Sequence, residues 1–111
     1  MTAGPKPLLF VYGTLRAGAG HPAHALLAAR GRPLGNAEVR GRVDMIDGYP
    51  ALRDGDAVVR GELWEIDGDF TDLDAYEEVT AGPPTYLRVQ AEVSCDDGSR
   101  VRAWLYRWSE P

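Results

Sequence analysis

Apolar and polar positions are arranged in two different ways along the chain, and both patterns predict strands. Residues 8–12 form one unbroken apolar run that ends at Gly13, which is typical of a strand buried on both faces. Residues 86–93 and 101–106 instead alternate between apolar and polar side chains, which indicates two half-buried strands. The turn at Asp96-Asp97-Gly98 between them predicts an antiparallel hairpin.

Weaker strand patterns and two short helices occupy the middle of the chain. Residues 35–46 and 58–66 predict strands, and the second is entered after a turn at Asp54-Gly55-Asp56. Residues 23–30, ended by Gly31, and residues 70–78 predict short helices. About five short strands and two helices, not in strict alternation, predict an α+β fold: a mostly antiparallel sheet or small barrel with helices packed on it.

The predicted helix at residues 70–78 places one carboxylate on its apolar side. Glu77 comes four residues after Leu73 and seven after Phe70, so all three share a face, whereas Glu78 follows the polar side. A carboxylate turned toward an apolar core is partly desolvated, which raises its pKa toward the range of a general base. The same position also fits a second interpretation, in which Glu77 lies at the edge of the apolar face and its carboxylate reaches water. Most helical carboxylates are solvated in this way.

Length and charge narrow the range of functions. The chain has 111 residues, which fits one domain spanning residues 1–111. The net charge of -5 argues against a broad contact with nucleic acid or an anionic membrane and favours a small-molecule partner. The single cysteine, Cys95, cannot form an internal disulfide, and the first residues lack the features of a signal peptide, so we expect a cytoplasmic protein.

The turn after residues 8–12 is a second candidate for chemistry. A buried strand that stops at a glycine exposes backbone N–H groups, which suit an anion or an oxyanion. Thr14 adds a hydroxyl and Arg16 adds a planar cation. The glycine-rich stretch that follows is neither a phosphate loop nor a dinucleotide fingerprint. Taken alone, such a turn is usually only the end of a strand.

Six short motifs, spread over nearly the whole chain, carry a family resemblance. They are FVYGTLR at 10–16, GYPAL at 48–52, VRGELW at 59–64, LDAYE at 73–77, YLR at 86–88 and AWLY at 103–106. In this order and spacing they resemble the γ-glutamylcyclotransferase-like family, and the short chain is similar to its γ-glutamylamine cyclotransferase and butirosin-pathway branch. The resemblance implies a small, mostly antiparallel β-barrel with flanking short helices, in agreement with the strand count.

The resemblance also implies a reaction and a set of site residues. In the family, the turn that matches Tyr12 to Leu15 holds the γ-glutamyl group through backbone amides, and the glutamate that matches Glu77 is the general acid/base. The implied reaction converts a γ-glutamyl amide into 5-oxoproline and a free amine by attack of the substrate's own α-amine, with no cofactor. The predicted substrate-binding residues are Tyr12, Gly13, Thr14, Leu15, Arg16, Tyr49, Tyr86, Arg88 and Tyr106.

Two alternatives stay open. The family usually has glycine after the catalytic glutamate, where this chain has Glu78, so one alternative is a binding protein that kept the fold and lost turnover. The other is a tailoring enzyme that removes a γ-glutamyl protecting group by the same chemistry. His21 and His24 have no further Cys or His ligands nearby, so no metal site is predicted. The sequence specifies neither the leaving amine nor the oligomeric state.

Overall fold

Five strands and the helix α1 make up most of the described part of the protein. The computed structural model describes residues 6–12, 24–46, 49–68, 70, 73 and 86–108. The elements are β1 (Leu8–Val11), α1 (His24–Arg30), β2 (Gly31–Ile46), β3 (Tyr49–Ile66), β4 (Tyr86–Cys95) and β5 (Arg100–Trp108). The predicted bounds of β1, α1, β4 and β5 are confirmed to within two residues, whereas β2 and β3 are longer than predicted.

The strands close into a barrel in the order β1-β3-β2-β4-β5. β2 with β3, and β4 with β5, form antiparallel hairpins. β1 lies between them, antiparallel to β3 and parallel to β5. The predicted small, mostly antiparallel barrel is therefore confirmed, with β1–β5 as a parallel pair.

The two faces of the barrel wall bury two separate apolar clusters. The inner cluster contains Phe10, Ala37, Val39, Leu52, Val59, Leu63, Val93, Ala103 and Leu105. The outer cluster contains Leu9, Val11, Leu27, Trp64, Ile66, Phe70, Leu73 and Tyr106. β1 supplies residues to both clusters, because successive side chains of a strand point to opposite faces. This double burial explains the unbroken apolar run at the start of the chain.

The predicted turn at Asp54-Gly55-Asp56 is wrong, because these residues form a bulge inside β3. Between Gly41 and Arg42 of β2, the pairing on β3 skips residues 54–56. Extra residues in one strand bend it and increase its twist, and the same Asp and Gly chemistry that suits a turn also suits such a bend. A Cβ on Gly41 would lie 2.9 Å from Leu52 Cδ1, so glycine allows this close approach. Beyond the bend, Leu52 joins the inner cluster.

The hairpin between β4 and β5 turns where the sequence predicts. The Gly98 N–H donates to the Cys95 carbonyl at 3.0 Å, and the Cys95 N–H donates to the Ser99 carbonyl at 2.8 Å. The Asp97 carboxylate accepts hydrogen bonds from the Ser99 hydroxyl at 2.6 Å and the Ser99 N–H at 2.9 Å. Both bonds favour the charged carboxylate, so they lower the pKa of Asp97.

Candidate functional site

The Tyr12 side chain ties the carboxyl end of β1 to two other strands. Its hydroxyl donates a hydrogen bond to the backbone carbonyl of Tyr106 on β5. The same oxygen accepts a hydrogen bond from the Leu52 N–H on β3, at 3.3 Å. The ring stacks on Phe10, with centroids 6.4 Å apart and planes inclined by 24°. The residue immediately before Gly13, where the predicted binding turn begins, is therefore anchored to β3 and β5.

β3 passes unusually close to the same end of β1 at Gly61. A Cβ at Gly61 would lie 2.2 Å from the Val11 carbonyl oxygen and 2.7 Å from Phe10 Cζ. Protein interiors are close-packed, and a backbone oxygen cannot rotate out of the way as a side chain can. Glycine at position 61 therefore permits the strand spacing found just before Tyr12.

Two residues of the predicted apolar stripe dock on the outside of the barrel. Phe70 is 7% exposed and Leu73 is 1% exposed, and both belong to the outer cluster with Val11 and Tyr106. The inward face of the segment is thus confirmed at these two positions. Glu77 lies outside the described residues, so its orientation stays a prediction.

Arg88 packs against aromatic side chains of the outer cluster. Its guanidinium carbon lies 4.3 Å from the centroid of the Phe70 ring and 4.7 Å from that of Trp104. A guanidinium within ~6 Å of an aromatic centroid is attracted by the ring's electrons. Arg88 is half-buried, whereas Gln90 and Glu92 on the same face of β4 are exposed. This end of the β4–β5 hairpin therefore contributes to the contact with residue 70.

Three residues of the predicted substrate-binding set meet at β5. Tyr12 donates to the backbone of Tyr106, and Arg88 is the strand partner of Tyr106 across the β4–β5 ladder. The Tyr106 side chain is 3% exposed within the outer cluster, so its ring is mostly packing surface. Tyr49 and Tyr86 begin β3 and β4, but their side chains lie outside the described residues. Gly13, Thr14, Leu15 and Arg16 also lie outside them.

Sequence reasoning assigned no site role to Leu52, Phe70 or Trp104, although each contacts a predicted site residue. Leu52 acts through its backbone N–H, which leaves no signal in the sequence. Trp104 lies two residues before Tyr106 on β5, so strand periodicity places both side chains on one face. Phe70 packs on the same face, in the cluster that contains Tyr106. The alternation along β5 was therefore a signal that could have indicated Trp104.

A cleft opens where β2 and β4 separate. Among the described residues, these two strands pair at only two positions. The cleft has a volume of about 580 Å³, which lies within the range of small-molecule sites. Leu52 and Leu105 of the inner cluster line it, together with charged side chains of both signs: Arg40, Arg53, Arg100, Arg107, Glu38, Asp54 and Glu92. Because the Leu52 N–H also bonds to Tyr12, the cleft and the end of β1 share one residue.

Surface ion pairs account for the other shifted pKa values among the described groups. The pKa of Lys6 is raised because its ammonium donates a hydrogen bond to Asp67 and is attracted by that charge. The pKa of Arg60 is raised first by its hydrogen bond to Glu38 and then by the negative charge of Asp96. Such exposed pairs link neighbouring strands and contribute little to stability.

Metal-ligand clusters and membrane-spanning helices are absent from the described ranges. Within them, no group of three or more His, Cys, Asp or Glu side chains is placed to hold a metal ion. No helix found there combines the length and the apolar character needed to cross a bilayer. Cys95 is a half-buried free thiol at the end of β4.

The chain matches one protein family over nearly its whole length. The family model described as "Gamma-glutamyl cyclotransferase, AIG2-like" matches residues 9–111. The chain belongs to this family. No curated protein matches the sequence of this AIG2-like chain. Membership and fold together support a cyclotransferase-type function, and the family acts on small γ-glutamyl substrates.

Several solved structures share the fold of this AIG2-like protein. An uncharacterized protein from Pyrococcus horikoshii is 30% identical with a TM-score of 0.69, and the match covers 95% of this chain and 80% of that one. An AIG2-like protein from Mus musculus is 23% identical with a TM-score of 0.76, and the match covers 96% of this chain and 79% of the mouse protein. A gamma-glutamyl cyclotransferase is 16% identical with a TM-score of 0.74, and the match covers 95% of this chain and 68% of that protein. The last two similarities establish the fold alone.

Proposed function

We propose that residues 1–111 form a single-domain cyclotransferase that releases 5-oxoproline and a free amine from a γ-glutamyl amide. The observation that carries the proposal is the family match over residues 9–111. The described geometry supports it, because Leu73 packs in the same cluster as Val11, one residue before Tyr12. Glu77 follows Leu73 by about one helical turn, so a helix there would direct its carboxylate toward the same side of the barrel.

The proposed reaction is a ring closure within the substrate, with Glu77 moving the protons. An ammonium cannot attack, so the Glu77 carboxylate first accepts a proton from the substrate's α-amino group. The nitrogen then bonds to the γ-carbonyl carbon and loses its second proton to solvent, and the bond from that carbon to the leaving nitrogen breaks. The protonated Glu77 donates its proton to the departing amine and is a carboxylate again. No water is consumed, and a single carboxylate serves both steps.

In this proposal, the turn at Gly13–Leu15 supplies hydrogen-bond donors and orientation. Its backbone N–H groups bind the substrate's α-carboxylate or stabilise the oxyanion that forms on the γ-carbonyl. Donors that are already in place cost no reorganisation during the reaction. The attachment of Tyr12 to β3 and β5 supports such preorganisation from the preceding residue. Holding the substrate folded accelerates an intramolecular attack.

The Glu77→Gln variant tests the acid/base role, with Glu78→Gln as the matched control. A panel of γ-glutamyl amides would be incubated with each protein, and 5-oxoproline would be quantified by mass spectrometry. We expect turnover by the wild type and by Glu78→Gln, and a loss of about 10²–10⁴-fold in Glu77→Gln, because removing a general acid/base typically costs that much. Circular dichroism and the urea midpoint should stay unchanged in both variants. Undiminished turnover by Glu77→Gln would exclude the acid/base role.

Glu78 favours a second candidate, a protein that binds γ-glutamyl compounds without turning them over. A carboxylate next to Glu77, where the family usually has glycine, changes both the local charge and the backbone freedom at that position. A ligand that binds only the folded state raises its melting temperature. A rise in melting temperature with γ-glutamyl amides, without release of 5-oxoproline, would support this second candidate over the enzyme.

A further inference from the structure

Arg88 contacts two aromatic rings that belong to different parts of the chain. Its guanidinium carbon lies 4.3 Å from the centroid of the Phe70 ring and 4.7 Å from that of the Trp104 ring. The two rings also contact each other edge to face, with centroids 6.2 Å apart and planes inclined by 62°. Trp104 belongs to β5 and Arg88 to β4, whereas Phe70 lies beyond the end of β3. The three side chains form one contact, called here the aromatic clamp.

We propose that Arg88 is a positioning residue, which fixes the segment leading to Glu77 through the aromatic clamp and does not bind the substrate. This inference rests on the proposed function, because that function makes Glu77 the acid/base. Phe70 is only 7% exposed, so the clamp anchors the segment where it first meets the barrel. Leu73 continues the attachment three residues later in the outer cluster. Glu77 comes four residues after Leu73 in the sequence.

The chemistry of the clamp favours this role over a contact with a substrate carboxylate. A guanidinium that stacks on aromatic rings presents its flat surfaces to them. The clamp therefore fixes the position of the Arg88 guanidinium carbon relative to Phe70 and Trp104. Stacking leaves the in-plane N–H donors of a guanidinium available to a carboxylate, but binding a carboxylate does not require an aromatic ring at residue 70. The specific geometry is thus explained by attachment of the segment.

The position of the segment matters because catalysis depends on small distances. A helix rises ~1.5 Å per residue, so the seven residues from Phe70 to Glu77 span about 10 Å if they are helical. A tilt of about 6° at Phe70 would then displace the far end of such a helix by about 1 Å. Misplacement of a reacting group by 1 Å can lower the rate by about 10²-fold. The clamp is therefore expected to influence the rate more than substrate affinity.

Steady-state kinetics on the full chain distinguish positioning from substrate binding. The variants are Arg88→Lys, which keeps the charge but loses the planar group, and Phe70→Leu, which keeps an apolar side chain but loses the ring. Arg102→Lys is the matched control, since Arg102 is an exposed arginine on β5 two residues before Trp104. We expect kcat to fall about 10- to 100-fold in both clamp variants, with KM changed less than about twofold. Arg102→Lys should behave as the wild type.

Two further measurements complete the kinetic test. The double variant Arg88→Lys with Phe70→Leu should be no slower than the worse single variant, because both changes remove the same contact. The pH profile of kcat should shift in both clamp variants, since a displaced Glu77 titrates in a different environment. A raised KM with unchanged kcat in Arg88→Lys, together with wild-type kinetics for Phe70→Leu, would show that Arg88 binds the substrate and would overturn the proposal.

Amide hydrogen exchange tests the clamp without any turnover. In Arg88→Lys and Phe70→Leu, the amides of residues 70–78 should exchange at least about tenfold faster than in the wild type and in Arg102→Lys, because local opening is less costly. Exchange in β2 should not change. Unaltered exchange at residues 70–78 would overturn the proposal, whatever the kinetics. If the wild type released no 5-oxoproline while exchange responded as expected, the proposed function would fail and the attachment of the segment by Arg88 would stand.

Discussion

Replacing Tyr12 by phenylalanine removes a single oxygen atom that joins three strands. In the wild type, that hydroxyl donates to the Tyr106 carbonyl and accepts from the Leu52 N–H. Phenylalanine keeps the ring, and with it the stacking on Phe10. The Tyr12→Phe variant therefore changes the hydrogen bonds at the end of β1 and leaves the apolar packing in place.

The size of the effect follows from those two hydrogen bonds. A typical intramolecular hydrogen bond contributes a net ~1 kcal/mol, and a buried partner left unsatisfied costs about 1–3 kcal/mol. Tyr12 is only partly buried, so water can compensate part of the loss. We expect the free energy of unfolding to fall by about 2 kcal/mol. For a chain near 100 residues this lowers Tm by about 8 °C.

Urea denaturation followed by circular dichroism at 25 °C measures this loss, with Tyr12→Leu as the comparison. Tyr12→Leu removes the ring as well as the hydroxyl, so it should cost about 1 kcal/mol more than Tyr12→Phe. The m-value should be the same in all three proteins, because the surface exposed on unfolding barely changes. If Tyr12→Phe were as stable as the wild type while Tyr12→Leu was not, the ring alone would anchor the strand. The two hydrogen bonds of the Tyr12 hydroxyl would then contribute nothing to stability, contrary to our expectation.

Two more substitutions test the barrel itself. Gly61→Ala should lower the free energy of unfolding by about 1–3 kcal/mol or more, because its Cβ would press on the Val11 carbonyl, and an unchanged urea midpoint would contradict the close approach of β1 and β3. Asp97→Ala should destabilise the β4–β5 turn at neutral pH. The folded pKa of Asp97 is lowered, so its contribution is present above the unfolded pKa and is lost as pH falls through the folded pKa. The difference between the urea midpoints of wild type and Asp97→Ala should therefore be constant near neutral pH and shrink as the pH falls below about 3.8, and a difference that persisted at lower pH would argue against the charged hydrogen bonds to Ser99.

Local pattern was enough to predict several elements and the inward face of Phe70 and Leu73. The run at residues 8–12 and the alternation at residues 86–93 and 101–106 report which faces of a strand are apolar, and that property depends only on neighbours in sequence. The motif order indicated the family, which the match over residues 9–111 confirms. The Asp54-Gly55-Asp56 signal was ambiguous, because turns and bulges use the same residues for the same backbone reason.

Sequence alone determined which faces must be buried, and hence the number of strands and their order along the chain, because hydrophobic periodicity is a local property of the chain. Only the tertiary structure decided what covers those faces. The hydrogen bond from Tyr12 to the Tyr106 carbonyl joins residues 94 positions apart, and the contact between Arg88 and Phe70 depends on where β4 lies relative to the chain beyond β3. Closure of the barrel creates both contacts, since it brings together strands whose own patterns do not specify their neighbours.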